Sequence, residues 1–170
     1  MKKLLFIFTI TMTLALSNNA TAQGTIVDVA VGNDDFSTLV TALKAADLVG
    51  ALQGDGPFTV FAPTNDAFAK IDSKTLNSLL EEKNKKALAN ILTYHVISGK
   101  ITATDVVAAL KKGNGMVELK ALNGQVLTVM QKDDKIWLKD VNGNYSEIIA
   151  TDVMGSNGVI HVINSVVMPE

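Results

Sequence analysis

Met116-Val-Glu-Leu-Lys-Ala-Leu-Asn-Gly-Gln-Val126 is the stretch that decides the fold class of this 170-residue chain. Val117, Leu119 and Ala121 alternate with Glu118 and Lys120, the period-two pattern of a strand with one face in the core and one in water. Asn123-Gly124 follows, and both residues tolerate the positive φ of a tight hairpin turn. Val126 to Gln131 runs back, Asp133-Asp134 turns, and Ile136 to Lys139 comes next. Asn142-Gly143 leads into Tyr145 to Val153, and Asn157-Gly158 into a last strand, Val159 to Met168. The expectation is an antiparallel meander of about five strands.

Before Gly113 the apolar period is near the helical one. Phe36, Leu39, Val40 and Leu43 make one stripe behind a cap at Asp34. Pro57 to Ala62 reads as a short buried strand stopped by Pro63, after which Thr64 or Asn65, and later Asp72, can cap helices. Asn84 to His95 places Leu88, Ile91, Leu92 and His95 on one helix face. Thr102-Ala-Thr-Asp105 has the form of a capping box ahead of Val106, Val107 and Leu110. Helices first and antiparallel strands after, with no alternation of the two, define an α+β fold: N-terminal helices packed on an antiparallel meander or sandwich.

The N-terminus points to export. Lys2 and Lys3 precede the apolar run Leu4 to Leu16, then Ser17-Asn18-Asn19 and Ala20-Thr21-Ala22. A basic start, a short apolar stretch and an A-x-A site describe a cleavable signal peptide, residues 1–22, leaving one domain, 23–170. The apolar run is shorter than the ~20 residues that span a bilayer. With no cysteine, neither a disulfide framework nor a lipid-anchored cysteine is available, so the product is secreted or periplasmic, with no membrane span after cleavage. All 15 basic residues are Lys. Losing Lys2 and Lys3 takes the formal net charge from −2 to −4, a poor match for nucleic acid.

Candidate chemistry is sparse. The two histidines, His95 and His161, can be read as a metal pair, an acid/base pair or contact residues. Their apolar neighbours favour buried imidazoles that hold backbone groups, and no further Cys or His could complete a zinc set. No metal or cofactor is called for. Gly155-Ser156-Asn157-Gly158 is one residue short of a nucleophile elbow, so a Ser156, His161, Asp152 set exists only on paper. Asp140, Asn142 and Asn144 mimic the opening of a calcium loop, but Tyr145 takes its glycine position and Thr151 its glutamate position. A hairpin turn accounts for them better. Asn144-Tyr145-Ser146 is a glycosylation sequon, with meaning only in a host that glycosylates. Trp137 lies opposite Ile136 and Leu138 along its strand, which makes it an exposed candidate for partner contact.

Three blocks, in order, carry a family resemblance. Phe58-Thr-Val-Phe-Ala-Pro-Thr-Asn-Asp-Ala-Phe68, Ile91-Leu-Thr-Tyr-His-Val-Ile-Ser-Gly99 and Asn157-Gly-Val-Ile-His-Val-Ile-Asn-Ser-Val-Val-Met-Pro169 resemble the signature boxes of the fasciclin (FAS1) family. The resemblance implies a wedge of strands flanked by helices and a non-catalytic role in cell adhesion, or in binding a protein or glycan, at the cell surface or matrix. It also implies partner contact at Tyr94 and His95, and at Asp152 and Val153, where Val replaces the usual Ile. Asn164 stands where many members carry Asp. A carrier of small apolar ligands, in a cleft between helices and sheet, is the alternative, and a serine hydrolase is third.

Overall fold

The computed structural model describes residues 23–170. The expected leader, residues 1–22, and its expected cleavage after Ala22 lie outside the described residues.

Helix α1 (Ile26–Val31) starts at a capping box. Thr25 accepts from the Asp28 N–H, and the Asp28 carboxylate accepts from the Thr25 N–H at 2.8 Å, so two otherwise orphaned donors are satisfied together. Helix α2 (Ser37–Ala45) follows a 3-10 turn, Asp34–Phe36. That turn is capped by Asn33 rather than Asp34, through the Asp35 N–H at 3.0 Å. After α3 (Val49–Leu52), strand β1 (Phe58–Pro63) runs to the Thr64 cap of α4 (Asn65–Ala69), and Asp72 caps α5 (Ser73–Leu79). Helix α6 (Lys85–Tyr94) carries the predicted apolar stripe and feeds without a break into strand β2 (Val96–Ser98), which the sequence reading does not contain. Helix α7 (Ala103–Lys112) begins at the predicted box, Thr102 with Asp105.

The meander is as expected up to its last strand: β3 (Met116–Lys120), β4 (Val126–Lys132), β5 (Lys135–Lys139), β6 (Tyr145–Gly155) and β7 (Gly158–Ile163). Its last strand does not reach Met168 but stops at Ile163. The meander is also not the whole sheet. β1 inserts parallel to β7, and β2 pairs with the far side of β1, giving seven strands in the order β2-β1-β7-β6-β5-β4-β3. A side-chain carbon at Gly158 would run into the Phe58 carbonyl, so only glycine lets β7 come this close to β1. The ends of the sheet then curl together: Ile97 bridges to Ala121, and the Leu122 N–H donates to the Val96 carbonyl at 2.8 Å.

This curling creates two cores. Val60, Ala62, Ile160 and Val162 face the helical layer, with Leu39, Leu43, Leu88 and Leu92. Phe61 and Ile163 face the other way, into a core with Leu127, Val129 and Leu138 that Val106 and Leu110 of α7 close. Every residue of β7 is therefore buried, the continuous pattern of a strand covered on both faces. β3 keeps the strict in-out alternation of a strand wet on one side.

Candidate functional site

Tyr94 and His95 sit where α6 turns into β2, and both are buried, Tyr94 at 0% and His95 at 2% exposure. The Tyr94 hydroxyl donates to the Val126 carbonyl at 2.9 Å. Burial, with the Asp140 carboxylate adding to it, holds the phenol above its ordinary range. His95 Nδ1 faces the Ile91 carbonyl at 2.8 Å and its Nε2 accepts from the Val167 N–H at 3.3 Å. Those partners require a neutral ring with its proton on Nδ1, and burial pushes its pKa down to about 4. Neither side chain offers surface to a partner, so the contact implied for this pair is not what its geometry provides. The pair fastens helix, sheet and C-terminal segment together.

His161 is a second fastener. Its Nε2 donates to the Ile101 carbonyl at 2.8 Å, its Nδ1 accepts from the Asp152 N–H at 3.4 Å, and its ring lies 5.6 Å from that of Phe61. Asp152 occupies the left-handed region, φ 60, at an irregularity in the β6–β7 register. Its carboxylate accepts from the Ala103 N–H at 2.9 Å, in the first turn of α7. Thr59 completes the clamp, donating to the Gly99 carbonyl and accepting from the Ile101 N–H. Asp152 and Val153 are half-buried, and Val153 packs on the helical core. The structure thus joins Asp152 to His161 but leaves Tyr94 and His95 on the far side of β1, and Trp137 on the outer face of β5. Trp137 is half-buried rather than freely exposed.

The paper triad does not assemble. Ser156 lines an open polar cleft of about 470 Å³ with Lys100, Gln53 and Asp55, and His161 is absent from its walls. Both nitrogens of His161 are committed, one of them to the backbone rather than the carboxylate of Asp152. Between helices and sheet the cavity lined by Val27, Leu43, Val60 and Ile160 measures about 20 Å³, room for a single water. A ligand carrier would need far more.

Two further polar residues hold the fold, and sequence reasoning gave them only turn roles. Asp140 is buried, and its carboxylate accepts four N–H groups: the backbones of Asn142, Asn144 and Met168 and the side chain of Asn144. Its oxygens are thereby used by the turn and the C-terminal segment. Asn157 accepts from the Ile26 N–H and donates to the Leu52 and Gly54 carbonyls, all within 2.9 Å. Asn164 accepts from the Glu147 N–H at 3.0 Å, a role a carboxylate oxygen would fill equally. Among the described residues no helix is long and apolar enough to cross a membrane, and no group of three or more His, Asp or Glu could hold a metal ion.

The family model for the Fasciclin domain matches residues 34–169. Protein sll1483 of Synechocystis sp. is 52% identical over 145 residues, covering 85% of this chain and 73% of that protein. Transforming growth factor-beta-induced protein ig-h3 of Sus scrofa is 40% identical over 147 residues, covering 86% of this chain and 20% of that protein. Among solved structures, the FAS1 domain pair from the insect cell adhesion molecule Fasciclin I superimposes with a TM-score of 0.73 at 19% identity, covering 84% of this chain and 50% of that one. The curled sheet and its helical layer are thus those of a FAS1 domain, and this chain belongs to the Fasciclin family.

Proposed function

We propose that this protein is an exported, non-catalytic adhesion module that binds a protein or glycan at the cell surface or in the matrix. The observation that carries the reading is the family membership over residues 34–169. The fold neighbour, a cell adhesion molecule, supports it. So does the commitment of both histidines to partners within the fold, which leaves Ser156 without a base. Residues 1–22 are removed after Ala22, and the domain 23–170 works outside the cytoplasm; N-terminal sequencing of the product should begin at Gln23. Because Tyr94 and His95 are inside, partner contact falls to the outer surfaces, including the half-exposed Asp152-Val153 segment and the face of Trp137.

Saturable binding of the labelled protein to host cells or envelope proteins, retained by Ser156→Ala, is the expected result. No saturable binding to any cell, matrix or envelope fraction would refute the reading. An esterase activity abolished by Ser156→Ala would replace it with the hydrolase.

A further inference from the structure

The outer face of β3 to β6 carries a site that the buried motif residues do not explain. The register sets Met116 across from Met130, Met130 across from Trp137, and Lys139 across from Tyr145. Residues directly opposed on paired strands share a face, and Leu127, Val129 and Leu138 mark the other face as the core side. Large apolar side chains therefore gather where this sheet should be polar, with Met116 and Tyr145 each 50% exposed. Between them opens a hollow of about 410 Å³, lined by Met130, Lys132, Asp133, Trp137 and Tyr145, within the roughly 300–1,000 Å³ range of ligand sites.

Two features narrow the ligand. Trp137 and Tyr145 bring two aromatic side chains to the lining, while the Trp137 indole N–H, buried without an acceptor, is closed to an incoming ligand. The two charges in the lining itself balance, Lys132 against Asp133. At its margin Lys135 pairs with Glu147 at 2.8 Å, and Lys139 lies 6.0 Å over the Tyr145 ring. The lining therefore carries no net sign to select an anion or a cation. What fits aromatic faces with one ammonium and one carboxylate together is a neutral molecule with apolar C–H faces and many hydroxyls.

We infer that this hollow is a subsite for a neutral saccharide. A pyranose ring lays its C–H face on Trp137 and Tyr145 while its hydroxyls bond Lys132 and Asp133. The inference rests on the adhesion reading and names one partner class for it.

Trp137 is the chain's single tryptophan, so its fluorescence reports on this hollow alone. Titration of the protein with cello-, chito- and malto-oligosaccharides should give a saturable emission change with at least one series, and none with heparin. Tyr145→Ala and Lys132→Ala should each weaken that binding about tenfold without altering the melting curve, while the distant Lys86→Ala leaves it unchanged. No saturable change with any neutral series, equal binding by Tyr145→Ala, or a preference for heparin would overturn the inference. Cell binding that survives Tyr145→Ala, with no saccharide response, would remove the subsite and leave the adhesion reading standing.

Discussion

Acidification should weaken this fold through His95 before the capping carboxylates of Asp28 and Asp105 contribute. In the folded state its pKa lies at about 4, against an ordinary value of 6.5. The neutral ring is the native form, because its Nδ1 faces the Ile91 carbonyl and its Nε2 accepts from Val167. Protonation would turn that acceptor into a second donor aimed at an N–H. A histidine with a depressed folded pKa contributes stability that is complete above the unfolded pKa and is lost as pH falls toward the folded one. The window is therefore pH 6.5 down to about 4, and the gap is worth about 3 kcal/mol in all, with about 2 kcal/mol gone by about pH 5. Asp28 and Asp105, both held below the ordinary carboxylate value of 3.8 by hydrogen bonds from Thr25 and Thr102, lose their contribution only at lower pH. Urea unfolding at a series of pH values reads the effect directly. His95→Gln should be less stable at neutral pH and lose most of the slope across the window. A slope in His95→Gln equal to that of the parent would refute the assignment.

Three other substitutions test the polar fasteners by chemical denaturation. Tyr94→Phe keeps the packing but strands the Val126 carbonyl, at about 1–3 kcal/mol; a loss below the error of measurement would deny that bond its role. Asp140→Ala strands four N–H groups at once and should cost roughly 3 kcal/mol or more, whereas a near-neutral result would mean that water replaces the carboxylate. Asp152→Ala removes the acceptor of the Ala103 N–H at the start of α7 and keeps the left-handed backbone, so it should cost about 1–2 kcal/mol, with Asp152→Gly milder. The reverse order would place the strain elsewhere.

Much of this was legible because it is local. Asn123-Gly124 and Asn142-Gly143 announce their hairpins because the turns need positive φ, and Gly124 and Gly143 adopt 89° and 84°. The Thr102–Asp105 box is complete within four residues. Thr25-Ile-Val-Asp28 has the same form and could have been read as the start of α1. Strand β2 was hidden, since only His95 separates Val96 from α6, with no Gly, Pro or Asn to mark a break, and what makes it a strand is β1, some 40 residues upstream in the chain (98 less 58). The inward reading of the histidines came from apolar neighbours, but which carbonyls they would meet is set by tertiary placement. The outward direction of Trp137 followed from alternation along β5. Its half-burial did not, because its neighbours across the register, Met130 and Glu147, belong to other strands.

The central place of β7 bears on how the chain reaches its native form. Its parallel partner β1 begins 100 residues earlier (158 less 58), and such long-range pairing is slow to form. Until residue 163 has been made, β1 lacks its neighbour, and neither core can close around it. A growing chain thus stays open for nearly its whole synthesis, and both cores close together only near its end. Shortening it by even the last strand would remove an element that both cores share.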